Sequence, residues 1–424
     1  MSRPRAAIVI TGSELVRGAR YDANGPFLAA EVLRLGFEPR RIHIVGDAEA
    51  ELRIAIEEAL ESELILTSGG LGPTHDDRTI PVLAASLSLA LIVDEGLVGE
   101  IGGISRGFAK RMGRPYADFA AGVEKQATLP VGAESLGLAG TAPGVLIEHE
   151  RGVAVALPGP PGELQRLWVR AAAHPAVMRL TAGAAPREHR ALRFFGPSES
   201  AVAKVIDEAG GEAPGLEVTV CARDLEIHVD LLAEAGSQAE ADVLEDALVA
   251  QFGEALFTRD ERRVEELVLE RCRALGWTLG TAESCTGGLV GAHLTEVPGA
   301  SAAFQGSVIA YANTVKSGQL GVDPAVLQHG GAVSADAAAA MACGVRDTLG
   351  VDVGASVTGI AGPGGGTPDK PVGLVFLHVE TPRGSKSRRL EIPGDRETVR
   401  RRATASLLHL TLRAILSPSG SIPA

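Results

Sequence analysis

The sequence predicts an α/β protein with two α/β units and a small α+β module between them, and three observations lead to this fold class. The chain has 424 residues, which is enough for two or three domains of ordinary size. Over residues 6–87, buried strands alternate with amphipathic helices, which indicates a parallel, doubly wound sheet. Over residues 264–416, strands again alternate with helices and end in loops rich in glycine and polar residues.

The elements of the first unit follow from its apolar periodicity. The first helix places Phe27, Leu28, Val32 and Leu35 on one face, and Gly36 closes it. The predicted elements are strands over 6–11, 40–45, 64–67, 145–148 and 153–157, helices over 26–35, 52–60 and 79–87, and a further helix that ends near 176.

The middle module and the last unit are predicted in the same way. Ser198 and Ser334 each stand where a side-chain cap would begin a helix. In the middle module we expect strands over 191–195, 216–221 and 226–232 and helices over 199–209 and 238–251. In the last unit we expect helices over 264–275, 335–349 and 397–416 and strands from 278 and over 306–310, 351–358, 373–379 and 389–392. The middle module is interpreted as a spacer or a dimerisation module.

Composition excludes several classes of protein. The balance of 40 basic and 53 acidic residues gives a net charge of −13, which argues against broad nucleic-acid binding but leaves a phosphorylated small substrate open. The sequence has no signal-peptide pattern and no apolar run of about 20 residues, so no membrane span is expected. The four cysteines lack paired spacing, so we expect a reducing cytoplasm, with no disulfide framework and no zinc knuckle.

The loop over residues 68–77 is the first candidate site. Gly69, Gly70 and Gly72 allow the backbone to approach an anion closely. Asp76 and Asp77 can supply oxygen ligands to a hard cation such as Mg²⁺. The alternative is that these two aspartates only cap the helix that follows.

The stretch over residues 278–290 is the second candidate site. A short apolar strand breaks at Ser284 and restarts through Gly287 and Gly288 into a helix. This arrangement exposes a hydroxyl at the carboxyl edge of a sheet and aims free N–H groups at whatever binds there. It suits a nucleophile that attacks a carbonyl, with the N–H groups stabilising the oxyanion. The alternative is a glycine-tolerant turn without a chemical role.

Longer sequence motifs show a resemblance to a known protein family. The N-terminal part contains TGSEL, GARYDANGPFLA, VGD, TSGGLGPTHDD, GTAPG and LPGPPGEL, and the C-terminal part contains AESCTGGLV, PGAS, YANTVK, GAVS, VTGIAGPGGGTPDKPVG and PGDR. In this order they resemble the competence/damage-inducible protein A (CinA) family over nearly the whole chain. The resemblance implies a molybdopterin-binding-like domain over 1–176, a KH-like module over 177–258 and a three-layer α/β/α amidase domain over 259–417. A disordered tail is expected over 418–424.

The resemblance also implies two activities. The C-terminal domain would release ammonia from nicotinamide mononucleotide and leave nicotinic acid mononucleotide, without a cofactor. The N-terminal domain would hydrolyse ADP-ribose with a divalent metal, Mg, Mn or Co. The partners would then be small nucleotides and a second copy of the chain in a homodimer, with no membrane or direct nucleic-acid contact. The competing hypothesis is a non-catalytic pterin- or nucleotide-binding protein that acts in competence or the DNA-damage response.

Site residues are assigned by position in the matching motifs. Ser284 is the expected nucleophile, and Lys316, with its pKa lowered by burial, is the expected base because no histidine lies near these motifs. Cys285 is the competing nucleophile, and Tyr311 and Thr358 complete the catalytic set. The residues expected to bind substrate are Glu283, Thr286, Gly287, Gly288, Gly362, Gly364, Gly365 and Arg396 (with Arg400 as the alternative cation) in the C-terminal domain and Gly69, Gly70, Gly72 and Thr74 in the N-terminal domain. The residues expected to bind metal are Asp76, Asp77, Asp47 and Glu14.

Overall fold

The computed structural model describes residues 3–184 and 187–416, which fall into two compact units, Met1–Arg187 and Glu188–Ala424. The predicted tail over 418–424 lies outside the described residues. The second unit contains both the middle module and the last predicted domain. Among the described residues, no helix is both long enough and apolar enough to cross a bilayer.

The first unit is built on a six-stranded sheet with helices on both faces. Its elements are β1 Arg5–Thr11, α1 Ser13–Val16, α2 Asn24–Arg34, β2 Glu38–Val45, α3 Glu49–Ala59, β3 Leu64–Ser68, α4 Thr79–Ser86, β4 Leu91–Val93, α5 Glu95–Met112, α6 Ala117–Gln126, β5 Thr128–Pro130, β6 Glu134–Leu138, β7 Pro143–His149, β8 Gly152–Leu157, α7 Pro161–Ala172 and α8 Pro175–Thr181. The order in the sheet is β2-β1-β3-β8-β7-β6, and β4 pairs with β5 as a separate ribbon.

Burial explains this layering. Strands β1, β3 and β8 are apolar on both faces, and two separate hydrophobic clusters cover those faces. Strands β2, β1, β3 and β8 are parallel, as predicted, whereas β7 and β6 close the edge in antiparallel fashion. Helix α5 was not predicted, because its five glycines weaken the helical signal of its sequence.

The middle module packs two helices against an antiparallel sheet. Its elements are β9 Glu188–Phe195, α9 Glu199–Glu208, β10 Leu216–Arg223, β11 Glu226–Ala233, α10 Gln238–Phe252 and β12 Leu256–Thr258. The sheet order is β10-β11-β9-β12. This is the predicted α+β arrangement with one added edge strand, which is too short to show a period in the sequence.

The last domain places helices on both sides of a five-stranded sheet. Its elements are α11 Val264–Leu275, β13 Leu279–Glu283, α12 Leu289–Thr295, β14 Phe304–Ile309, α13 Asn313–Leu320, α14 Pro324–His329, α15 Ala335–Leu349, β15 Val353–Gly359, β16 Leu374–Thr381, β17 Gly384–Glu391 and α16 Arg396–Leu416. The order is β14-β13-β15-β16-β17, with the first three strands parallel. The short helices α13 and α14 were not predicted.

Candidate active site

The parallel strands of the last domain bring three loops together. Glu283 at the end of β13 pairs with Ile309 of β14 and with Val357 of β15, so these three strands end at one edge of the sheet. The backbone N–H of Ser284 then donates to the Val357 carbonyl at 3.0 Å, which fixes the first residue beyond the strand. This edge is where ligands of open α/β sheets bind.

The hydroxyl of Ser284 lies beside a buried lysine. The Nζ of Lys316 is 3.0 Å from Ser284 Oγ, 2.7 Å from the Ala310 carbonyl and 3.4 Å from the Tyr311 carbonyl. Lys316 is 1% exposed, so it is not a solvated helix residue. Helix α13 carries Lys316 on its inner face, directly under the end of β14.

Burial sets the chemistry of this amine. Removal from water disfavours the charged form and lowers the pKa of Lys316 from its ordinary value. A neutral amine has two N–H groups and one lone pair. The Ala310 and Tyr311 carbonyls can accept both N–H groups, which leaves the lone pair for the proton of Ser284. The pair therefore has the geometry of a serine nucleophile with a lysine base.

Cys285 has a different environment from its neighbour. Its side chain is 5% exposed and belongs to the hydrophobic core cluster of the domain. Burial raises the pKa of this thiol to about 12, so the thiolate is scarce at neutral pH. Since the thiolate is the nucleophilic form, Cys285 is a poor competitor to Ser284.

The carboxylate of Glu283 is buried and forms hydrogen bonds within the protein, so it does not face the site. Its carboxylate, 0% exposed, accepts hydrogen bonds from the hydroxyls of Thr286 and Ser307. It also accepts from the backbone N–H groups of Gly288, Val290 and Gly291, at 2.9–3.1 Å. A negative charge at this place stabilises the start of α12. The structure thus gives Glu283 a supporting role instead of the predicted substrate contact.

Two further predicted catalytic residues lie at the same edge. Thr358 is buried at the end of β15, and its hydroxyl donates to the Ala332 carbonyl at 2.7 Å. Tyr311 is 62% exposed, so it is not a core residue, and its hydroxyl accepts a hydrogen bond from Arg396 at 3.0 Å. The ring of Tyr311 is therefore held at the open rim of the site.

Both candidate cations at the start of α16 reach the loops. Arg396 donates to the Gly362 carbonyl at 2.8 Å and Arg400 to the Thr286 carbonyl at 2.6 Å. Gly287 and Gly288 follow with φ of +61° and +98°, values that favour glycine. Thr286, Gly287 and Gly288 thus form the turn directly after Ser284, with Thr286 itself buried and its hydroxyl donated to Glu283, and Arg396 contacts Gly362. Substrate binding by this set, with Gly364 and Gly365, stays a prediction.

Several basic side chains at this edge have no acidic partner. Within residues 3–184 and 187–416, Lys316, Lys370, Arg396 and Arg400 have no carboxylate within 4.0 Å. Arg401, next along the helix, pairs with Asp224 at 2.8 Å. Lys370 was not predicted as a site residue, although it stands within the glycine-rich string.

The loop after β3 forms the second candidate site, in the first unit. Thr74 donates through its N–H to Asp77 Oδ2 at 2.9 Å and through its hydroxyl to both Asp76 and Asp77. The hydrogen bond from Thr74 lowers the pKa of Asp76. Gly69 and Gly70 have φ of +97° and +66°, and a Cβ at either would collide with Thr11 or Thr79. A depression lined by Gly70, Gly72 and Asp77 adjoins this loop.

The predicted metal ligands are not gathered into one cage. Asp47 accepts from the N–H and hydroxyl of Ser13 at 3.1 and 2.6 Å, and Glu14 is exposed. In the described parts of the chain, no group of three or more His, Cys, Asp or Glu side chains is placed to hold a metal ion. Asp76 and Asp77 remain available as one or two ligands, the number that Mg²⁺ commonly takes from protein.

Known proteins match nearly the whole chain. Three family models match: "Probable molybdopterin binding domain" over residues 7–177, "Damage-inducible protein CinA KH domain" over 189–258 and "CinA C-terminal domain" over 261–415. A CinA-like protein of Mycolicibacterium paratuberculosis is 40% identical over 434 residues, covering 97% of this chain and 98% of its own. One of Mycobacterium tuberculosis H37Rv is 39% identical, covering 98% and 99%.

A solved structure also resembles part of the chain. The competence/damage inducible protein CihA from Agrobacterium tumefaciens is 35% identical, with a TM-score of 0.35, and covers 38% of this chain and 100% of its own.

Proposed function

Since the chain belongs to the CinA family, we propose that its C-terminal domain is an amidase that hydrolyses nicotinamide mononucleotide to nicotinic acid mononucleotide and ammonia. The observation that carries the proposal is the 3.0 Å contact between Ser284 Oγ and the buried amine of Lys316. A serine with a neutral amine within hydrogen-bond distance is equipped for acyl transfer.

The proposed reaction has two stages. Ser284 Oγ attacks the carboxamide carbon while its proton passes to Lys316, and the carbonyl oxygen becomes an oxyanion. Backbone N–H groups of the turn that follows Ser284 would stabilise this charge. Collapse breaks the C–N bond, and Lys316 returns the proton to the departing ammonia. Water then hydrolyses the ester with Lys316 as base, which frees Ser284 and the carboxylic acid.

The positive edge supports a phosphorylated substrate. Besides the amine of Lys316, this edge has three cations with no carboxylate within 4.0 Å among the described residues, Lys370, Arg396 and Arg400, in a chain whose net charge is −13. A phosphate would neutralise part of this charge, and Arg396 together with the N–H groups of residues 362–366 is the proposed binding group. An amide substrate without a negative charge would leave these cations without an anionic partner.

Two neighbouring substitutions test the amidase. Ser284→Ala should abolish ammonia release from nicotinamide mononucleotide, because it removes the attacking oxygen. Cys285→Ala should leave most of the rate, because the thiol is buried and protonated. The measurement is ammonia release under saturating substrate, with circular dichroism as a check of folding. An inactive Cys285→Ala enzyme beside an active Ser284→Ala enzyme would overturn the assignment.

For the N-terminal domain we propose nucleotide binding at the loop after β3, with hydrolysis of ADP-ribose to AMP and ribose 5-phosphate. Gly69, Gly70 and Gly72 supply close backbone approach for a pyrophosphate. Asp76 and Asp77 would hold a divalent cation, which supplies positive charge to the phosphate oxygens when bound. Thr74 orients both carboxylates through its hydroxyl.

The competing function for this domain is binding without turnover. Incubation with ADP-ribose and Mg²⁺, Mn²⁺ or Co²⁺ should yield AMP, and Asp77→Asn should lose it. A wild-type protein that binds ADP-ribose but makes no AMP with any of these metals would favour the non-catalytic alternative. Metal titration of each single Asn variant then shows whether Asp76, which is exposed, or Asp77, which is partly buried, holds the cation.

A further inference from the structure

Lys370 has an unusual arrangement beside the Ser284 site. Its Nζ donates to the Gly330 carbonyl at 2.6 Å and to the Val333 carbonyl at 2.8 Å. The residue is half-buried, and no carboxylate among the described residues lies within 4.0 Å of it. Two neutral carbonyls hold the ammonium in place without cancelling its charge, and one of its three N–H groups remains unused.

A short series of contacts connects this lysine to the nucleophile. The Ala332 carbonyl lies between the two acceptors of Lys370 in sequence and accepts from Thr358 at 2.7 Å. Thr358 follows Val357, whose carbonyl accepts the N–H of Ser284 at 3.0 Å. The ammonium is therefore fixed on the rim of the same sheet edge that presents Ser284.

The glycine loop over residues 362–366 has a cation at each end. Arg396 donates to the Gly362 carbonyl at its start, and Lys370 closes a turn with Thr367 just past its end. A Cβ added at Gly364 would meet no atom within 4 Å, so the middle of the loop faces open space. The loop is thus flanked in sequence by two basic residues that have no carboxylate within 4.0 Å among the described residues.

We propose that Lys370 is a specificity-determining residue that binds the substrate phosphate and makes the enzyme prefer a nucleotide over the corresponding nucleoside. This rests on the amidase proposed above. The alternative is that Lys370 only braces the glycine loop against residues 330–333. A brace would affect both substrates equally, whereas a phosphate ligand affects only the phosphorylated one.

The test compares nicotinamide mononucleotide with nicotinamide riboside in the full-length protein. For Lys370→Met, kcat/KM for the mononucleotide should fall roughly 10- to 150-fold, the equivalent of a charge-assisted hydrogen bond worth about 1.5–3 kcal/mol. The value for the riboside should stay within about threefold of the wild type, and Lys370→Arg should retain more of the preference. The matched control is Lys204→Met, which removes an exposed lysine paired with Glu208 in the middle module.

Calorimetry with both ligands tests the role of Lys370 in binding, whether or not the protein releases ammonia. If the wild type binds the mononucleotide without releasing ammonia, the amidase proposal fails, and the effect of Lys370→Met on binding still decides the role of Lys370. Equal losses for both ligands, or no loss for either, would overturn the assignment. A wild type that binds neither ligand would overturn both proposals.

Discussion

At the scale of single residues, the environment of each side chain decides which of two adjacent nucleophiles can act. Ser284 and Cys285 are neighbours in sequence, yet only Ser284 contacts an amine, while Cys285 packs in the core. Burial disfavours the charged form of both groups, so it lowers the pKa of the Lys316 amine and raises the pKa of the Cys285 thiol. It keeps the Lys316 amine available as a base and keeps the Cys285 thiol protonated.

The pH profile should report the buried amine. Because burial lowers the pKa of Lys316, kcat/KM should rise with pH along a limb whose midpoint lies below the ordinary lysine value of 10.5. Lys316→Met should lose this limb and about 10²- to 10⁴-fold in rate, the usual worth of a general base. Ammonia release across the pH range is the measurement. A midpoint at 10.5 or above, or an active Lys316→Met enzyme, would remove Lys316 from the mechanism.

Arg396 should contribute to binding more than to the chemical step. It touches the rim through Gly362 and Tyr311 and not Ser284 itself. Arg396→Ala should raise KM for the mononucleotide roughly tenfold or more, since a charge-assisted hydrogen bond is worth about 1.5–3 kcal/mol. Steady-state kinetics check this. An unchanged KM would exclude Arg396 from the substrate site.

At the scale of elements, helix α16 connects the site to the middle module. Its first residues carry Arg396 and Arg400, and further along His409 stacks on Phe195 with ring centroids 3.9 Å apart. His409 also lies 2.7 Å from Glu226 of β11. Helix α16 therefore contacts the loops beside Ser284 at its start and the middle module further along.

Glu226 should make this docking sensitive to acid. Burial alone would raise its pKa, but hydrogen bonds from His228 and His409 outweigh burial and lower the pKa to about 2. A lowered carboxyl pKa stabilises the fold above pH 4.5, and the contribution is lost as the pH falls from 4.5 towards 2. The shift corresponds to at most about 3 kcal/mol.

Urea unfolding at pH 6 and pH 3 measures the contribution of Glu226 to the free energy of unfolding. Glu226→Gln should lower the free energy of unfolding at pH 6 and narrow the difference between the two pH values. Glu240→Gln, an exposed position on α10, serves as the control. The same pH difference in wild type and Glu226→Gln would show that this carboxylate does not link the module to α16.

At the scale of the whole molecule, the two candidate sites belong to separate units with separate cores. The Ser284 site depends on residues of the second unit alone, and the loop after β3 depends on the first. We therefore expect substitutions to separate the activities. Ser284→Ala should leave AMP formation from ADP-ribose unchanged, and Asp77→Asn should leave ammonia release unchanged. Parallel assays of both products on each variant check this, and loss of both activities in either variant would contradict it.

The sequence by itself determined the fold class, the order of three domains and the strand–turn–helix around Ser284. These features depend on local periodicity and on turn residues, which can be read from neighbouring positions. The predicted strands β1, β3 and β8 and helices α11 and α15 accordingly match the structure closely.

Only the tertiary structure decided which polar side chains face the site. Glu283 and Thr286 both stand in the motif around Ser284, yet both are buried, and the carboxylate of Glu283 accepts hydrogen bonds from the start of α12 and from the Thr286 hydroxyl. Lys316 meets Ser284 across 32 positions, and Lys370 meets Gly330 across 40. Burial and charge pairing arise from such distant contacts, so no local pattern can specify the lowered pKa of Lys316 or the unpaired charge of Lys370.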